Sequence, residues 1–589
     1  MDDAWPWLAS LPPPLRDEGG PDTPSPPPWS LPLAASIALQ ADTTAAASAS
    51  PAGNGDDDDD GEPALLVAFS VAVIGAGGEP RALWASEGFA ASSPVALRVQ
   101  LLVQLLNEVL ALSPYVPCLG AATGVDDLGR GDVSEAKVDA ETVSAVVGAG
   151  GADPSAPAAA AFFSIALLLR LFWLCALDAP ADAGYLFFRD LGAEIERGLG
   201  ECRPAFGVFL RSVGPDVEDR FMRSLGYMLA KWCLLREIQA AAAGPAAAPR
   251  RRRALPAACL SYATEVHGLW VLKGYAPVLA MPRVVAGPAS TSIAASPHEV
   301  PEEPALRYAL AHQQLEAVAQ LEYAVHVRDR RFVTVSVHVD NVRVRVARLA
   351  FRKDDGDGGG NDGEEEDDAG VDNDVMDGES HFPSRIRVWV GPLFGASYAT
   401  GPSLGRSTGN PERDVEMTRT VKGAFAGATK PANGGGGAPR IKAKMRSSAR
   451  TRNRSWRWEQ EAEGSAGVFE GVLYDPVTGT EVSAWRPGIG GGGTGAADPR
   501  NGMRRRYGGP GRAFSKMRGL VVAGDELPEE MTWRVGREAE GRTLRWRLGL
   551  KAWVSYLPNE VRSRHFETRC VEWAHEVDLP LVAVDGDES

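Results

Sequence analysis

The sequence predicts an α+β protein of two domains, an N-terminal all-α bundle followed by an antiparallel β-sandwich-like domain with disordered inserts. Three patterns carry that prediction. Between 63 and 275 apolar residues recur at spacings of three and four, as on the buried stripe of a helix. From Leu321 they alternate with polar residues, as on a strand with one face in a core. Acidic and glycine-rich tracts then interrupt the alternating part, and such tracts bury too little apolar surface to offset the entropy of ordering them. A chain of 589 residues, 44% of them hydrophobic, is long enough for more than one core.

Residues 1–62 are rich in Pro, Ala, Ser and Asp and end in the run Asp56 to Asp60, so disorder is expected there. The bundle is expected over 63–275. Its first helix opens at Ser93, a capping residue ahead of Pro94, and stops before Ser113 and Pro114. A polar loop follows from Gly124 to Pro157. Ala158 to Leu177 and Gly184 to Arg197 supply two more helices. Gly214, Pro215 and Asp216 open another, in which Phe221, Leu225, Met228, Trp232 and Leu235 form one apolar stripe, read as core packing.

Residues 276–314 are expected to hold a linker and a helix, the helix running from about Pro304 to Gln320. The β domain is expected over 315–586. Val333, Val335, Val337 and Val339 alternate, and the pattern resumes out of phase at Val342, Val344 and Val346. A two-residue hairpin turn at Asp340 and Asn341 accounts for that phase change. His326 and His338 fall between the apolar positions, on the polar face. Further strands are read at Ile386 to Val390, Val468 to Tyr474, Glu481 to Trp485, Met531 to Val535, Leu544 to Val554 and His565 to Val577. Disordered inserts are placed near 354–380, 427–439 and 487–500.

The six cysteines are widely spaced with no CxxC pair, which suits buried thiols in a reducing compartment. Acidic Asp2 and Asp3, and Pro12 to Pro14, stand where a secretory signal needs basic and then apolar residues. An intracellular protein, cytoplasmic or nuclear, is expected. The alternative rests on Ala158 to Leu177, which has the ~20 residues that span a bilayer and carries a single charge, Arg170. Its weakly apolar start and its acidic flanks, Asp178 and Asp182, favour a buried core helix over a membrane span.

Against a net charge of −16, the block from Arg440 to Trp458 is basic and holds no carboxylate. Arg446, Arg450, Arg452, Arg454, Trp456 and Trp458 are the candidate contacts to an anion or a partner. In one extended strand Arg450, Arg452, Arg454 and the two tryptophans would share a side. Basic side chains interleaved with aromatics can hold a nucleic-acid strand by charge and stacking, or an anionic lipid surface by charge. The thirteen acidic residues between Asp354 and Glu379 can equally neutralise them. A protein partner is the expectation, with lipid and nucleic acid as alternatives.

No catalytic, cofactor-binding or metal residue is assigned. Gly75, Ala76, Gly77 and Gly78 follow an apolar run as in a dinucleotide turn, but Pro80 occupies the third glycine position. His565, Cys570 and His575 are zinc-ligand types, yet on one strand the two histidines would lie roughly 33 Å apart at about 3.3 Å per residue. Arg250 to Arg253 read as a solvated run in a linker.

The segments RIRVWVGPLFGASYATGPSLGRSTGNPERDVEMTRTVKG, from Arg385, and KMRSSARTRNRSWRWEQEAEGSAGVFEGVLYDP, from Lys444, resemble a family of uncharacterised land-plant proteins. The Ala- and Gly-rich inserts resemble those of grass proteins. The resemblance implies no activity and no functional residue. A non-enzymatic interaction or scaffold protein is the expected function, without a cofactor. The alternatives are a membrane-associated protein and an enzyme whose site is assembled from distant residues.

Overall fold

A computed structural model of the protein describes residues 7–8, 29–34, 37–45, 65–73, 81–90, 93–112, 137–148, 157–178, 183–242, 259–284, 312–326, 330–349, 381–404, 414–425, 441–452, 456–474, 481–484, 519–523, 530–556 and 565–582. It mixes helices with antiparallel sheets. The three inserts expected near 354–380, 427–439 and 487–500, and the arginine run 250–253, lie outside these residues.

The chain opens with a sheet of β1 (Trp29–Ala34), β2 (Ile37–Ala45), β3 (Leu65–Val73), β4 (Arg81–Ala85) and β5 (Phe89–Ala90), ordered β1-β2-β3-β4 with β5 also on β3. Strands at 29–34 and 37–45 replace the disorder expected across 1–62. Their apolar content is modest, but Leu39 and Ala41 join Val67, Phe69 and Val71 of β3 on one buried face. β3 pairs antiparallel on both sides, so the run before Gly75 is a hairpin strand and not the start of a βαβ unit.

Among the described residues six helices follow: α1 (Pro94–Leu112), α2 (Ala140–Gly148), α3 (Pro157–Asp178), α4 (Ala183–Glu201), α5 (Arg203–Ser212) and α6 (Pro215–Ala242). The start read at Ser93 is the observed cap, since Ser93 Oγ accepts from the Ala96 amide at 3.1 Å. α2 lies inside the stretch read as a polar loop. Asp139 caps it by accepting from the Thr142 amide at 2.7 Å, and Val143 and Val146 are buried. α3 is the central helix, packed on α1, α4, α5 and α6. Phe162 meets Phe206, Phe209 and Phe221, while Trp173 stacks on Tyr227 with ring centroids 5.7 Å apart. Arg170 forms an ion pair with Glu108 of α1. Two helical stretches, Val95–Leu112 and Pro157–Ala176, are long and apolar enough to cross a membrane by length and composition, and 72% of the second is buried within the fold.

Beyond the helices come β6 (Leu260–Val266), β7 (Leu269–Pro277), β8 (His312–His326), β9 (Phe332–Leu349), β10 (Phe382–Pro392), β11 (Ala399–Leu404), β12 (Asp414–Phe425), β13 (Ile441–Arg452), β14 (Trp456–Glu463), β15 (Ala466–Leu473), β16 (Gly519–Ala523), β17 (Glu530–Gly536), β18 (Thr543–Tyr556) and β19 (Glu567–Pro580). A seven-stranded sheet runs β11-β17-β9-β8-β7-β6, with β16 also on β9; a five-stranded sheet runs β14-β15-β10-β18-β19; β12 and β13 pair apart from both. Residues of the two larger sheets close one core, with Trp270, Val335, Val337 and Trp533 from the first and Val388, Trp546 and Leu550 from the second.

Four expectations change here. β6 and β7 lie in the stretch read as helical bundle, joined by the two-residue turn His267 and Gly268 with φ of 51° and 84°, both positive as a tight hairpin requires. β8 takes the place of the helix expected over Pro304 to Gln320 from His312 onward, the part before it lying outside the described residues. Its Leu315, Ala317, Ala319 and Leu321 are good helix formers, but they alternate into the core between β7 and β9. β9 runs unbroken through Asp340 and Asn341. Gln320 pairs with Asn341 and Leu321 with Val339, so Asp340 is one extra residue, a bulge, and it produces the phase change that a hairpin turn was expected to explain. Finally, Val482–Ala484 is a turn of 3₁₀ helix where a strand was expected from Glu481 to Trp485.

The seven-stranded sheet turns its other face to α6, which crosses β7 and β8. The contact is polar. Glu218 of α6 accepts from Lys273 Nζ at 2.7 Å, from the Tyr275 hydroxyl at 2.9 Å and from the Tyr262 hydroxyl. Burial, reinforced by Glu218, pushes both phenols well above the ordinary tyrosine value. Glu316 of β8 is buried beside Arg345 of β9, and burial raises its carboxyl pKa against the pull of that guanidinium. Gly226 permits the close approach, since a Cβ there would lie 1.4 Å from the Gln314 side-chain oxygen.

Candidate functional site

The basic block does not form one strand. Arg446, Arg450 and Arg452 belong to β13, Trp456 and Trp458 begin β14 in a different sheet, and Arg454 lies outside the described residues. The backbone register of the separate hairpin sets Arg450 opposite Glu416 and Arg452 opposite Asp414. The tryptophans are half-buried against the core of the two larger sheets, and Trp458 lies across Gly471, where a Cβ would come within 2.9 Å of the indole. They are packing residues on the inner face of β14. Trp456 and Trp458 therefore belong to a different strand from Arg450 and Arg452.

Basic and aromatic side chains do interleave elsewhere, on the outer face of the five-stranded sheet. Arg385 lies over Trp553 at 5.1 Å, with Lys551 over the same ring at 5.3 Å. Arg547 lies over Phe394 at 3.2 Å and over Trp389 at 5.3 Å, and its Nε donates to the Pro392 carbonyl at 2.8 Å. Trp389 in turn spreads across Gly549, where any Cβ would collide with the indole. Phe394 is 84% exposed, so its ring covers a cation and contributes almost nothing to a core. Acidic partners offset most of the positive charge: Arg385 pairs with Glu470, Arg387 with Glu463 at 2.6 Å, Lys551 with Glu572 at 3.1 Å and Arg545 with Asp578 at 3.4 Å.

A second feature is a cleft of about 500 Å³ where α5 meets β6 and β19, a junction of the helices with both larger sheets. Arg203, Gly207 and Arg211 line it from one face of α5. From the other side Ser261 Oγ lies 2.9 Å from His575 Nε2, across 314 positions of sequence. Burial, aided by the Arg203 charge, holds the imidazole below the ordinary histidine value, so it is neutral at pH 7. A hydroxyl held by a neutral imidazole is half of a nucleophile arrangement. Among the described residues no carboxylate holds the other ring nitrogen, so the pair offers hydrogen bonds without the third group that would orient it for catalysis.

The remaining sequence candidates separate. His575 takes part in this cleft, His565 is exposed ahead of β19, and Cys570 is half-buried with its thiol pushed up to about 11 by burial. Among the described residues no three His, Cys, Asp or Glu side chains converge as a metal-binding group. His326 contacts Ser336 Oγ at 3.3 Å, and His338 contacts Glu322 at 3.6 Å, both among the polar positions of β8 and β9.

Comparison with known proteins adds little. No protein-family model matches the chain, and no curated protein matches it. Among solved structures, the Clostridium perfringens NetB toxin in its membrane-inserted form aligns over 54% of this chain and 95% of its own, at 7% identity and a TM-score of 0.17. Clostridium perfringens delta-toxin aligns over 54% and 96%, at 9% identity and a TM-score of 0.20. Similarity this low carries no argument about fold or function.

Proposed function

We propose that the protein is a non-enzymatic interaction protein that presents the outer face of its five-stranded sheet to a protein partner. The observation that carries this is the exposed Phe394 ring over Arg547, beside Trp389 and Trp553. Aromatic and arginine side chains are the residue types that anchor protein interfaces. The ion pairs favour a protein over a nucleic acid or an anionic lipid. Phosphate-rich partners are held by uncompensated positive charge, whereas Arg385, Arg387, Arg545 and Lys551 each face a carboxylate.

In this proposal the helices with the first sheet and the two larger sheets act as two domains joined through α6. The protein works inside the cell, in the cytoplasm or nucleus, with α3 as a core helix; the burial of Phe162, Phe163 and Leu167 to Leu169 supports that role. Kinship with the land-plant family that segments 385–423 and 444–476 resemble belongs to the same proposal.

The test compares proteins crosslinked to wild type and to a Phe394→Asp, Lys551→Glu variant in cell extract, with circular dichroism melts as a folding control. A partner captured by wild type and lost from a normally folded variant is the expected result. Identical capture by both proteins removes the surface from consideration.

A further inference from the structure

We propose that the cleft between α5, β6 and β19 binds a small molecule carrying an oxyanion, a phosphate ester or a carboxylate, on an apolar body. The site is distinct from the sheet face assigned to a protein partner. Its volume of about 500 Å³ is that of a small-molecule pocket.

Charge comes first. Arg203 and Arg211 are eight positions apart on one face of α5, about 12 Å along a helix at about 1.5 Å per residue. Gly207 lies between them, and a Cβ there would sit 3.5 Å from Arg211 Nη1. Arg211 therefore folds back along the helix over Gly207, on the face that also carries Arg203. Pro204 and Ala205 of the first turn of α5 line the cleft beside Arg203. Glu576 is the carboxylate in the lining, set against two arginines.

Hydrogen bonding and shape complete the site. The Ser261 hydroxyl and the neutral His575 ring lie opposite α5 and can share an anionic oxygen with the guanidinium groups. Val146, Ala158, Ala159, Val208 and Ala263 make the rest of the wall apolar, so a ligand with an aromatic or aliphatic body displaces water there. Small side chains from α2, α3, α5 and β6 leave that volume open. The arginines fix the charged end, and the apolar wall selects against inorganic anions.

The experiment measures the melting temperature of the full chain against increasing phenyl phosphate, phenylacetate and inorganic phosphate, with chloride at matched ionic strength. A saturable rise with phenyl phosphate or phenylacetate, larger than with inorganic phosphate, is expected, and whichever binds more tightly identifies the oxyanion. An Arg203→Gln, Arg211→Gln double variant, read against its own unliganded melting point, should weaken binding about tenfold or more. Ser261→Ala should weaken it by a smaller factor. A response that fails to saturate, that chloride reproduces, or that persists in the double variant overturns the proposal.

Discussion

Lys231 of α6 is held in surroundings that disfavour its charge, and burial pulls its pKa down to about 7. A folded-state pKa below the unfolded value means that the unfolded chain binds the extra proton between about pH 7 and 10.5. The cost to stability is complete below pH 7 and disappears as the pH rises toward 10.5. Lys231→Met should therefore be more stable than the parent at pH 6, by a few kcal/mol at most, with the gain shrinking at pH 8 and vanishing near pH 10.5; urea denaturation at these pH values measures it. Nothing in the stripe of Phe221, Leu225 and Met228 reveals this lysine, because its burial depends on what packs over α6. The Ser93 cap, by contrast, was legible because the cap and the proline after it act within one turn of chain.

β9 shows how much one residue decides within an element. Its two valine rows, Val333 to Val339 and Val342 to Val346, reach the same core face only because Asp340 is accommodated as a bulge. Deleting Asp340 leaves Val339 and Asn341 on consecutive partners, Leu321 and Gln320, so both rows still face inward. That deletion should fold, whereas deleting Ser336 throws one row onto the solvent face and should not. Circular dichroism and thermal melts of the two deletions measure the difference. The phase change was visible in the sequence, but a bulge and a two-residue turn leave the same mark on alternation. β8 shows the opposite limit: its helix-forming residues became a strand because β7 and β9 satisfy its backbone on both sides.

Two hydrophobic cores, one shared by the helices and the first sheet and one between the larger sheets, meet where α6 crosses β7 and β8. Glu218 ties that joint together through Lys273, Tyr262 and Tyr275. Removing it leaves Lys273 without its carboxylate and strands two buried hydroxyls, a loss of about 3–5 kcal/mol for a broken buried pair. Glu218→Ala should lower the melting temperature and split unfolding into two calorimetric transitions, one for each core. A single transition at the wild-type temperature would show that the cores are coupled by other contacts.

The mixture of helices with antiparallel strands, the first helix cap, the stripe of α6 and the alternating strands β10, β15, β17 and β18 were legible in the sequence, since each depends on neighbours a few residues away. The N-terminal strands, the strand identity of β8, the fate of the basic block and the cleft were decided by tertiary structure. Ser261 and His575 are 314 positions apart, and Arg385 meets Trp553 across a strand ladder, so no local spacing could announce either. Pairing partners and the helix laid over a sheet set which side chains are buried, and through burial they set the charges and hydrogen bonds left for binding.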